Sequence, residues 1–168
     1  MKQQVIQTAA LAALLTVTTS CSLSAHPPKW EKFTFNGQEF QSGGIDNRPA
    51  IWLRDGYSPR IAEPQDASLD YGKLPPKSGA IAGVCYLQIS GGKLADQSGA
   101  KPLPDEQITI SSSKYGISVT RSDAAGFFIE ELFPGDYQLY CRGAGLEVRV
   151  KEGQTVLVPI KGAKRMVD

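Results

Sequence analysis

Three cysteines, one histidine, a serine triplet and two carboxylate pairs are the residues of this chain whose types admit chemistry. Cys21, Cys85 and Cys141 offer thiols for covalent modification or for a bridge. His26 is the single imidazole, and no Cys, Asp or Glu stands beside it in a metal-ligand spacing. One histidine excludes every multi-histidine metal site. It also leaves Ser111-Ser112-Ser113 without a placed base to activate a hydroxyl. The pairs Asp105-Glu106 and Glu130-Glu131 could act as acid and base only if they converged. Adjacent residues on a strand point to opposite faces, so neither pair does. Gly143-Ala144-Gly145 is a bare G-x-G and no phosphate-binding loop. No catalytic residue, metal or cofactor is assigned.

The overall balance narrows the classes further. Lys plus Arg number 18 and Asp plus Glu 17 in 168 residues, a formal net charge of +1. That gives no field for nucleic acid or acidic lipid. Lys161, Lys164 and Arg165 form a small basic end that reads as solvated. The 17 Gly and 11 Pro suit short strands and many turns rather than a helical bundle. The length fits one domain with attachments.

Residues 1–20 read as a secretory signal. Lys2 supplies the positive start, and Val5 to Val17 is a mostly apolar run of about 13 residues, short of the roughly 20 a spanning helix needs. Small residues follow, ending in Cys21. That ending resembles a bacterial lipobox, although Thr18 stands where such boxes usually carry Leu. The resemblance implies acylation of Cys21 and a lipid anchor in the membrane, and Ser22 after it implies the outer membrane. Multiple acyl chains anchor stably, since each buried methylene contributes about 0.8 kcal/mol. The alternative is ordinary cleavage near Ser22 or Ala25 with an unmodified thiol and a periplasmic or secreted product.

Residues 21–78 are rich in Pro and Gly yet hold seven aromatics, among them Trp30, Trp52 and Tyr57. Disordered linkers are poor in aromatics, so part of this extension packs on something. Phe33 to Phe40 reads as a hairpin around Asn36-Gly37, which suits a type I′ turn. Ala50 to Arg54 reads as another short strand. Either the aromatics dock on the chain's own domain, or they form an interaction arm with exposed rings.

From Gly79 the pattern alternates with period two. Apolar positions recur at Ile81, Cys85, Leu87 and Ile89, then Ile108 and Ile110, Ile117 and Val119, Phe127 and Ile129. Tyr137, Leu139 and Cys141 follow, then Leu146, Val148 and Val150, and last Val156, Val158 and Ile160. About seven short strands separated by turns fit an antiparallel sandwich. Gly91 to Pro104 reads as a polar loop. Cys85 and Cys141 are both in phase with the inward residues. A buried disulfide between them is expected in an exported chain; two separate buried thiols are the alternative.

The motifs of this half resemble the carboxypeptidase regulatory-like family. The carriers are Gly79 to Val84, Lys101-Pro102-Leu103 to Ile110, Val119 to Ile129 with Asp123 and Gly126, and Leu132-Phe133-Pro134-Gly135-Asp136-Tyr137-Gln138-Leu139. The resemblance spans about residues 79–160. It implies an all-β, seven-stranded antiparallel transthyretin-like β-sandwich over 79–162, with an irregular extension before it and a tail at 163–168. Such domains usually accompany catalytic or transport modules. The Gly126 to Tyr137 line is also similar to small domains attached to fimbrial outer-membrane ushers.

Two functions follow as expectations. The first is a non-enzymatic, lipid-anchored envelope protein that supports or binds another envelope component, with no nucleic-acid partner and with a pilus usher as the specific version. The second is a carbohydrate- or peptidoglycan-binding module in which Trp30, Trp52 and Tyr57 stack on sugar.

Overall fold

A computed structural model describes residues 29–44, 49–61, 72–89 and 99–163. Cys21 and His26 lie outside the described residues. Eleven strands and no helix occur among those described. They form three sheets.

The first strands build a small sheet of their own. β1 (Glu31–Phe35) pairs antiparallel with both β2 (Phe40–Ser42) and β3 (Ala50–Leu53). The hairpin expected around Asn36-Gly37 is present, but its loop has four residues, because Phe35 pairs with Phe40. The Asn36 Oδ1 accepts the backbone N–H groups of Gln38 and Glu39, both at 2.9 Å. That side-chain cap stabilises a wider turn than the two-residue type I′.

The sandwich begins at β4 (Gly79–Ile89), followed by β5 (Gly99–Pro102), β6 (Gln107–Ser112), β7 (Gly116–Arg121) and β8 (Phe127–Leu132). It ends with β9 (Gly135–Cys141), β10 (Ala144–Val150) and β11 (Thr155–Lys161). One sheet runs β10-β9-β6-β7. In the other, β4 lies between β11 on one side and β8 with β5 on the other. The sandwich therefore has eight strands rather than seven. β4 is longer than β8: its first half pairs with β8, and Tyr86 to Ile89 need a second partner. β5 supplies it from within the stretch read as a loop. The pairing is also not wholly antiparallel, because β11 runs parallel to β4.

The sandwich interior holds Ile81, Cys85, Ile108, Ile110, Phe128, Leu139 and Val158, all essentially inaccessible. A second core lies on the outer face of β4. There Ile51, Ala82, Val84, Tyr86 and Phe127 are buried together, with Phe35, Phe40 and Leu53 packed against them. The extension thus docks its aromatics as a third layer, and both faces of β4 are covered. This explains why β4 reads as a nearly continuous apolar run. It also corrects β8. Phe127 and Ile129 face the third layer, and Phe128 is the residue that fills the sandwich.

Local chemistry fixes the turns. The Asp123 Oδ1 accepts the N–H groups of Ala125 (2.9 Å) and Phe127 (2.8 Å), and the Gly126 N–H donates to the Asp123 carbonyl (3.0 Å). Gly126 has φ +82°, a conformation L side chains avoid, and a Cβ there would meet the Cys85 carbonyl. The buried Tyr137 hydroxyl donates to the Phe133 carbonyl at 2.7 Å, closing the Pro134-Gly135 turn.

Candidate functional site

The paired and nucleophilic residues stand apart from one another. Asp105 meets Arg121 at 3.0 Å, whereas Glu106 faces Arg142 at 3.8 Å. The Ser118 hydroxyl donates to Glu130 at 3.0 Å, and the Ser58 hydroxyl donates to Glu131. Each carboxylate thus has its own partner, and no acid–base pair forms. Ser111, Ser112 and Ser113 line an open depression with Asp136, Gln138 and Arg149. No histidine is near them among the described residues. No group of three His, Cys, Asp or Glu suited to a metal occurs among the described residues.

Two of the three expected contact aromatics come together. The Trp30 and Tyr57 rings meet edge to face at 5.8 Å. The protein's own cations lie over one face of each: the Arg54 guanidinium is 4.1 Å from the Tyr57 centroid and Arg60 is 5.7 Å from that of Trp30. Trp52 belongs to β3 and exchanges two backbone hydrogen bonds with Arg60 (2.7 and 3.0 Å). All three side chains are half-buried.

Cys85 on β4 and Cys141 on β9 belong to the two facing sheets and to one buried cluster. Both are buried free thiols. The Cys85 thiol is pushed well above its ordinary range, first by its hydrogen bond to Cys141 and then by burial. Cys141 is lowered by receiving that bond, against the opposing effect of burial.

Among the described residues, the open side of the sandwich at β7 leaves apolar side chains exposed. Along one side β10 lies against β11; along the other, β7 and β8 share no backbone ladder and are joined by the Ser118–Glu130 hydrogen bond beside a cavity of about 400 Å³. Tyr115, Ile117, Glu130, Leu132 and Phe133 line it. Tyr115 stacks between Phe133 (5.3 Å) and Tyr137 (6.2 Å), and the Lys114 ammonium lies 4.8 Å from the Tyr115 centroid. β7 is the last strand of its sheet. Its Ile117 and Val119 are 74% and 55% exposed, and Phe133 is 57% exposed. A free strand edge flanked by apolar side chains is a template for another chain.

Alternation alone assigned Ile117 and Val119 to the interior, and the structure reverses this. The hairpin arithmetic explains it. Ser112 pairs with Gly116, so the turn has three residues and Ile110 falls opposite Ser118. The inward Ile110 carries Ser118 inward and leaves Ile117 and Val119 outside. Counting that loop was the signal that could have found the edge. Tyr115 and Phe133 gave no such signal.

No family model matches the chain, and no curated protein does. Among solved structures, the chain is similar to a DUF3823 family protein from Parabacteroides merdae at 16% identity and a TM-score of 0.37. The likeness covers 52% of this chain and 48% of that one, so the chain spans about half the length of that structure.

Proposed function

We propose that this chain is an exported envelope protein without catalytic activity, anchored through an acylated Cys21 at the outer membrane, whose β-sandwich binds another envelope protein. The single observation that supports binding is the β7 edge, where Ile117, Val119, Tyr115 and Phe133 leave apolar surface uncovered beside an unpaired strand. The apolar run before Cys21 supports export and anchoring. The carboxypeptidase regulatory-like motifs support an accessory role, with an usher-associated role as the narrower version. Sugar binding has less support, since a guanidinium already lies over one face of Tyr57 and of Trp30.

The test is co-purification from detergent-solubilised envelope, comparing the wild type with Ile117→Lys and Cys21→Ser. The reading expects one reproducible protein partner that Ile117→Lys loses. It also expects Cys21→Ser to move the protein out of the membrane fraction. A partner retained by Ile117→Lys removes the edge from the account, and membrane retention of Cys21→Ser removes the anchor.

A further inference from the structure

We propose that Cys85 and Cys141 are joined in the exported protein by a disulfide that staples the two sheets of the sandwich together and closes while the chain is still folding. The placement carries it. Cys85 lies in the middle of one sheet, flanked by β11 through its pairing with Ile160. Cys141 lies in the facing sheet, paired with Ile108 on β6 and Ala144 on β10. Both side chains belong to the one buried cluster between the sheets, with 0% and 1% of their surface exposed. No third ligand-type residue joins them in a metal site among the described residues.

Burial also sets the timing. In the closed sandwich neither sulfur is reachable by an oxidant, and burial opposes formation of a thiolate. The exchange therefore occurs before the sheets close. One thiol, as its thiolate, attacks a sulfur of an incoming disulfide oxidant. The oxidant's S–S bond breaks, a mixed disulfide forms, and one oxidant thiolate leaves. The second cysteine thiolate then attacks the cysteine sulfur of that mixed disulfide and releases the other oxidant thiolate. The two cysteines lose two electrons and two protons, and the oxidant gains two electrons and becomes two thiols after protonation. Once the sheets pack, the bridge is shielded from reductant by the same burial.

The inference rests on the export reading, because a reducing compartment would keep both thiols free. The experiment takes the full-length protein from the envelope fraction without reductant. It is denatured in excess N-ethylmaleimide, and the peptides carrying Cys85 and Cys141 are analysed by mass. The expected result is one disulfide-linked peptide pair with no adduct on either cysteine. Native protein held in millimolar dithiothreitol keeps the bridge, and adding denaturant releases it. The Cys85→Ala/Cys141→Ala double variant melts roughly 10–20 °C lower than the oxidised wild type. In parallel, reduced, unfolded protein is refolded in a glutathione redox buffer. A bridge in that sample with free thiols in the envelope sample upholds the pairing and overturns export. Free thiols in both samples overturn the pairing itself.

Discussion

The ring of Phe128 on β8 lies across its cross-strand partner Gly83 on β4, in the space that any side chain at position 83 would need. The Val158 carbonyl closes the same space from β11. Gly83 is therefore a packing requirement, with no unusual backbone angle involved. Gly83→Ala is expected to destabilise the fold by about 1–3 kcal/mol through overpacking. Phe128→Ala leaves a cavity instead and costs about 3–5 kcal/mol. Urea unfolding of both variants checks this, with a lower midpoint at unchanged slope as the outcome.

The Asp123 carboxylate holds two N–H groups of the β7–β8 turn. Asp123→Ala removes the one oxygen that accepts both bonds and is expected to cost about 1 kcal/mol. Asp123→Asn retains one acceptor oxygen and recovers most of the loss. The urea midpoints of the two variants, measured side by side, separate the hydrogen bonds from the mere presence of a side chain.

Ile117→Lys acts at an exposed position, so its effect on stability is expected to stay within about 0.5 kcal/mol. Its effect on partner binding is expected to be near-complete loss. Thermal melts and co-purification of the same variant must diverge in this way. A variant that loses both stability and binding contradicts the surface role.

The alkaline limb reports the buried tyrosines. Burial raises Tyr86 above its ordinary value of 10.0, and burial with the nearby Tyr115 raises Tyr137 in the same direction. A raised folded-state value means the unfolded chain releases its proton first as pH rises. The contribution is present below pH 10 and is lost as pH climbs through the folded values. Stability is thus expected to fall above pH 10, and Phe substitution at Tyr86 and Tyr137 flattens that fall. Unfolding midpoints measured across the alkaline range check the sign.

Much of the sandwich was legible because turns and alternation agree. Asp123, Gly126 and Pro134-Gly135 mark real turns, and Leu139, Val150 and Val158 point inward as their period requires. The rest depended on tertiary covering that no local pattern encodes. Phe127 and Phe128 are adjacent and both buried, since β8 is covered on both faces. Ile117 and Val119 alternate like core residues but sit on the far side of a register set by a three-residue loop. Of the expected contacts, Trp30 and Tyr57 form a cluster whose arginine partners the spacing did not reveal. The exposed face of β7 was legible only through that loop count, which places Ser118 opposite the inward Ile110; Tyr115 and Phe133 beside it carried no such signal.

The most direct measurement is photo-crosslinking in intact envelope, with the crosslinker placed at position 117 on the β7 edge and, in a second protein, at position 149 on β10. A discrete adduct with one envelope protein is expected from position 117 and none from position 149. No adduct from position 117, or the same adducts from both positions, would contradict binding at this edge.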